Sequence, residues 1–116
     1  MNIKTFTLGL GIVLLAVGIW GTLTGGHNHE LIVFGINTNH NMVHIASGAV
    51  AIVAAMMGGG LAKLFCILFG LVYGLVAIGG FAGVSSVVTM LNLNTADNFL
   101  HLAISAGCLF FGFKKS

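Results

Sequence analysis

Ile36-Asn37-Thr38-Asn39-His40-Asn41-Met42-Val43-His44-Ile45-Ala46 recurs as Leu93-Asn94-Thr95-Ala96-Asp97-Asn98-Phe99-Leu100-His101-Leu102-Ala103. The shared pattern is apolar-Asn-Thr-x-x-Asn-x-x-His-apolar-Ala, and Asn37 is answered by Asn94 at an offset of 57. Each copy stands where a polar stretch becomes an apolar one. A phrase repeated at long period marks a repeated supersecondary unit. The chain of 116 residues therefore reads as one domain made of two tandem helical hairpins, about 1–59 and about 60–116.

Composition names the solvent of that domain. Hydrophobic residues make up 58% of the chain, charged residues only 5%, and proline is absent. Soluble domains carry about 25% charged residues. Four lysines and two acids do not cover a water-facing surface, so the expected surroundings are a lipid bilayer. No nucleic-acid partner is expected.

Four apolar runs follow: Phe6 to about Thr24, Met42 to about Ala62, Leu64 to about Val84, and Phe99 to Phe113. A helix needs roughly 20 residues to cross about 30 Å of hydrocarbon. The second and fourth runs reach that length only if their polar first turns sit at the interface. Membrane strands would alternate apolar and polar residues over about 10 positions, and no such alternation occurs. The expected fold class is all-α, an integral membrane four-helix bundle of two pseudo-symmetric hairpins related by an axis along the membrane normal. The first run is read as a retained span: it is long for a signal core, and no small-x-small cleavage site follows it.

Lys4 precedes span one, Lys63 separates spans two and three, and Lys114 and Lys115 follow span four. With four spans these places share one face, which the positive-inside rule assigns to the cytoplasm. Both termini are then cytoplasmic in a bacterial inner or thylakoid membrane. Glu30, Asp97 and His27, His29, His40, His44 and His101 fall on the opposite face.

Several residues have structural readings. Gly21 and Gly25, and Gly70 and Gly74, have the small-x-x-x-small spacing that lets membrane helices approach closely. Gly58-Gly59-Gly60 reads as the link between hairpins. Thr38 and Thr95 are expected to cap spans two and four. Asn41 and Asn98 stand three residues later, where a capping box reaches back. Asp97 suits the positive end of the helix dipole. Cys66 and Cys108 form no C-x-x-C and read as small packing residues.

The two repeated histidines carry the functional question. His44 and His101 each follow an asparagine by three residues, on the same helical face. Ionisable groups at that depth face the bundle interior and find partners. One reading is a polar clamp of Asn41, His44, Asn98 and His101, joined by hydrogen bonds across the pseudo-twofold axis. The other is a ligand set. His44 and His101 would supply both axial ligands of a haem, or one each to chlorophyll-type magnesium. A divalent metal would instead use His27, His29, His40 and His44, since imidazole suits zinc, copper or nickel.

The motif H-N-x-x-H-h-x-x-G in residues 40–48, with A-D-N-x-L-H-L in residues 96–102, resembles the signature of a bacterial family of small four-span membrane proteins. That family is known only as a numbered domain of unknown function. The resemblance runs from the first span to the last. It implies four helices and a periplasm-side His/Asn/Asp cluster, with no activity, substrate or cofactor attached. Proline-containing turns often join such spans, and this chain has none.

Three function classes follow. The first, which is preferred, is a non-enzymatic accessory subunit of a larger membrane complex, or a self-associating protein. The second is a haem, pigment or metal binder. A transporter or enzyme is the third. A four-span multidrug exporter needs an acid inside a span, and spans one to three contain none. No nucleophile and base set is evident, and no G-x-x-x-x-G-K-[ST] phosphate loop is present.

Overall fold

Proline inside a helix kinks or breaks it, and this chain has none. The computed structural model, which describes residues 1–114, is accordingly dominated by long helices. They are α1 (Ile3–Leu23), α2 (Thr38–Met57), α3 (Gly59–Phe81) and α5 (Thr95–Phe113), with a short α4 (Ser85–Leu91) before the last. Strands β1 (His29–Leu31) and β2 (Phe34–Ile36) form an antiparallel hairpin between α1 and α2, pairing His29 with Ile36 and Leu31 with Phe34. At about 1.5 Å per residue the long helices measure roughly 28–35 Å, the thickness of a bilayer core. All four are long and apolar enough to cross a membrane.

Their boundaries differ from the sequence expectation in an instructive way. The polar turns before Met42 and Phe99 are already helical, so α2 and α5 begin at Thr38 and Thr95. Span two ends at Met57 instead of near Ala62, because Gly58 takes φ +132°, outside any helix. The expected three-glycine link is therefore Gly58 alone, and Gly59 and Gly60 open α3. Neither the β-hairpin nor α4 is anticipated by the apolar runs.

The caps also shift by one residue. Asn37 Oδ1 accepts from the His40 amide at 3.0 Å, and Asn94 Oδ1 from the Asp97 amide at 2.9 Å. Asparagine just outside the helix reaches the third amide, whereas Thr38 and Thr95 already have helical geometry. Thr38 instead donates its hydroxyl hydrogen to Gly26 O at 3.0 Å. In α5 the Asn94 amide donates back to Asp97 Oδ2 at 3.0 Å, completing a capping box with Asp97 in place of the expected Asn98.

Helix α1 packs along α2, and α3 along α5. Glycine allows the approach. A Cβ on Gly11 would lie 2.9 Å from Gly48 O, and one on Gly70 would lie 2.8 Å from the Leu109 side chain. Gly74 faces Ser105, whose hydroxyl donates to Gly70 O at 2.6 Å. Gly25 does not join this set. It follows the helix at φ +116°, where a glycine conformation turns the chain. Ala51, Ala54, Phe65, Cys66 and Cys108 form the buried centre, while Leu71, Leu75 and Ile78 of α3 face outward.

The two ends of the bundle differ sharply. Lys63 and Lys114 line one cavity of about 730 Å³ with Met1 and Phe111. Lys4 borders its own pocket with Asn2, so the described lysines share one end; Lys115 lies outside the described residues. At the other end, side-chain amides stitch the connections together. Asn37 and Asn39 donate to Met90 O at 3.0 and 3.1 Å, Asn92 to Ile36 O at 3.0 Å, and Asn94 to Val33 O at 2.9 Å.

Candidate functional site

Just inside that stitched end, three imidazoles meet. His40 and His44 lie one turn apart on α2, with ring centroids 4.4 Å apart. His101 comes from α5, seven residues after its cap Asn94, as His44 comes seven after Asn37. His40 Nε2 and His101 Nε2 stand 3.3 Å apart, and the His44 and His101 rings 6.1 Å. The three are only 1, 3 and 1% exposed, and each offers a ligand nitrogen within 4.8 Å of the others.

Burial leaves this cluster short of hydrogen-bond partners. His40 Nδ1, both nitrogens of His44 and His101 Nδ1 complete no hydrogen bond of good geometry, although the Leu91 and Gly35 backbones lie near His40. Nor do the Tyr73 hydroxyl and Asp97 Oδ1. Native interiors rarely leave such groups unpaired, because each costs about 1–3 kcal/mol. So dense a set in one place points to an ion or water as the missing partner. The Tyr73 ring lies 5.5 Å from that of His101. Gly35 of β2 closes the top: a Cβ there would lie 3.1 Å from Asp97 Oδ2 and would strike Asn92 O.

The structure divides the expected metal set. His27 and His29 stack on each other at 4.2 Å in the connection after α1 and are not part of the buried cluster. His29 already uses both nitrogens, Nδ1 against His27 O at 2.6 Å and Nε2 against Thr24 Oγ1 at 2.8 Å. His101 takes their place beside His40 and His44. The offset of 57 is the sequence signal for it, since it pairs His101 with His44. Tyr73 and Gly35 have no comparable signal.

The expected amide clamp is also rearranged. Asn41 presses on Gly21 of α1, where its Oδ1 occupies the place a Cβ would take. Asn98 does the same at Gly80 of α3. Among the described residues no hydrogen bond joins either amide to the other half. The polar contact between these two histidine helices is His40 to His101 instead.

Chemically the cluster suits a small ion. Metal–nitrogen bonds of about 2.0–2.1 Å place two ligands of a tetrahedron about 3.3–3.4 Å apart, and the His40–His101 spacing is 3.3 Å. A haem between His44 and His101 does not fit. His40 fills the space between them, its ring 4.4 and 5.3 Å from theirs, and the adjoining cavity is about 40 Å³. His44 alone of the three borders the apolar groove of about 440 Å³ between α1 and α5.

Comparison with curated proteins found no match, and comparison with solved structures found none either. A family model does match, over residues 4–114, which is nearly the whole bundle including both histidine helices. The chain thus belongs to the DUF4383 family, a domain of unknown function.

Proposed function

We propose that this protein binds a first-row transition-metal ion in the membrane through His40, His44 and His101. The carrying observation is the set of three buried imidazoles with ligand nitrogens within 4.8 Å of one another. Imidazole is a ligand for zinc, copper and nickel. The test is metal content after purified protein is equilibrated with zinc, and separately with copper, and freed of excess. About one ion per chain is expected. His44→Asn and His101→Asn should abolish it, and His27→Ala with His29→Ala should leave it intact. A metal-free wild type, or retention in both Asn variants, would overturn the reading.

A hydrogen-bonded clamp is the second reading, favoured by the 3.3 Å His40–His101 contact. Interhelical bonds of this kind average about 0.6 kcal/mol and reach about 1–2. A clamp predicts stability lost in the His variants with no ion bound in the wild type.

An architecture and an orientation go with this site. Two tandem hairpins related by a twofold axis are supported by contacts between equivalent positions. His44 lies across from His101 at an offset of 57, and Asn41 presses on Gly21 as Asn98 presses on Gly80. Contact between equivalent residues marks a twofold axis. The lysine end is assigned to the cytoplasm and the histidine end to the opposite side. Impermeant maleimide added to whole cells should label His29→Cys and spare Lys63→Cys; the converse pattern overturns the orientation. The role is one of binding within a larger assembly or a self-associated form, with outward side chains such as Leu71 and Leu75 facing lipid or a neighbouring helix. Crosslinking in native membranes should trap an adduct, and a chain that stays monomeric would refute that part.

A further inference from the structure

Three protein nitrogens leave a tetrahedral ion one ligand short. Structural zinc sites close that position with a fourth side chain, whereas sites that bind or activate small molecules keep it for water. Among the described residues no cysteine or carboxylate joins the three histidines within the 4.8 Å cluster. What adjoins it is a cavity of about 40 Å³, lined on its polar side by His40, Ser47, Tyr73 and His101 and otherwise by valines and Leu91. That volume holds roughly one water, and a buried water needs about two to four polar partners.

Tyr73 supplies the second, independent observation. The residue is 3% exposed, lines this cavity, and its hydroxyl has no hydrogen-bond partner. A buried phenol ordinarily finds one. Ser47 lies beside it on α2 without completing a bond of good geometry. The valines beside these few polar groups leave room for a small ligand next to the imidazoles.

We propose that this cavity is the open coordination position of the bound ion, occupied by one water or small monovalent anion that hydrogen-bonds to the Tyr73 hydroxyl. The proposal rests on the metal reading above. It makes the site an exchangeable one, able to take a small ligand from the cavity, and gives Tyr73 the role of positioning that ligand. No protein group needs to leave the ion for exchange to occur.

Cobalt(II) is the probe ion, because its visible spectrum reports coordination number and ligand exchange, and azide is the probe ligand. Wild-type protein loaded with cobalt should show four-coordinate bands that shift saturably with azide. Tyr73→Phe should keep the cobalt stoichiometry and change the azide Kd by about two- to tenfold, the effect of one hydrogen bond. Val76→Phe, which fills the cavity from α3, should keep cobalt and abolish the azide shift. Cobalt binding with an azide-insensitive wild-type spectrum would overturn this inference and leave the metal reading standing. An azide Kd unchanged in Tyr73→Phe would remove Tyr73 from it. No cobalt bound at all would overturn both.

Discussion

The starts of α2 and α5 carry the same phrase and use it differently. Both are capped by an asparagine, Asn37 or Asn94, which accepts from the amide three residues on. In α5 that third residue is Asp97, whose carboxylate returns the bond and closes a capping box. In α2 it is His40, whose side chain turns inward to His101 instead. One helix start is completed as structure. The other gives up half its cap, and the freed position furnishes a third imidazole. Three imidazoles meet because the two starts differ: two identical starts would offer two histidines and two acids, not this trio.

The largest expected effect tests whether the halves are equivalent in packing. A Cβ at Gly21 would fall on Asn41 Oδ1, and one at Gly80 on Asn98 Oδ1. Gly21→Val and Gly80→Val should each destabilise by about 1–3 kcal/mol, the usual cost of overpacking. Thermal unfolding in detergent should show similar losses. Loss confined to one variant would break the comparison at its base.

A smaller effect separates cap from site. His40→Asp makes the α2 start read like that of α5 and supplies the returning carboxylate. Helix stability should hold or rise by about 0.3–1 kcal/mol, the worth of an acid at a helix N-terminus. Zinc affinity should fall at least about tenfold, or about 1.4 kcal/mol. Stability and affinity falling together would mean that His40 serves the fold. Isothermal titration beside a melting curve decides it.

The smallest effect sharpens the difference between the two asparagines. Asn94→Ala should cost about 0.5–2 kcal/mol, as cap losses do. Asn37→Ala should cost more, because its amide donates to two acceptors, Met90 O at 3.0 Å and Asn28 Oδ1 at 3.1 Å, whereas that of Asn94 donates to one, Val33 O at 2.9 Å. Equal losses in chemical denaturation would show that the additional bond contributes nothing.

Much of this molecule is legible in its residues alone. Four helices long and apolar enough to cross a membrane and the lysine-bearing end follow from local pattern. What local pattern misassigns is local too. Threonine competes with asparagine as cap, since both are good cap residues and the repeat contains both side by side. Gly25 falls on the packing spacing although it lies past the end of α1. Closeness in sequence groups His27 and His29 with His40 and His44, and the fold separates them. The β-hairpin hides because its strands are only three residues each and carry no alternation.

By itself the sequence determined the class of fold, since long apolar runs without proline satisfy their own backbone by forming helices. It also determined which polar residues fall within those helices. Tertiary structure alone decided which of them meet. Whether His101 faces His40, whether Asn41 reaches Asn98 or Gly21, and whether Tyr73 borders a cavity all depend on helix rotation and close approach. Those are set by glycines and small residues packing across α1–α2 and α3–α5, contacts between positions far apart in the chain that no local period encodes.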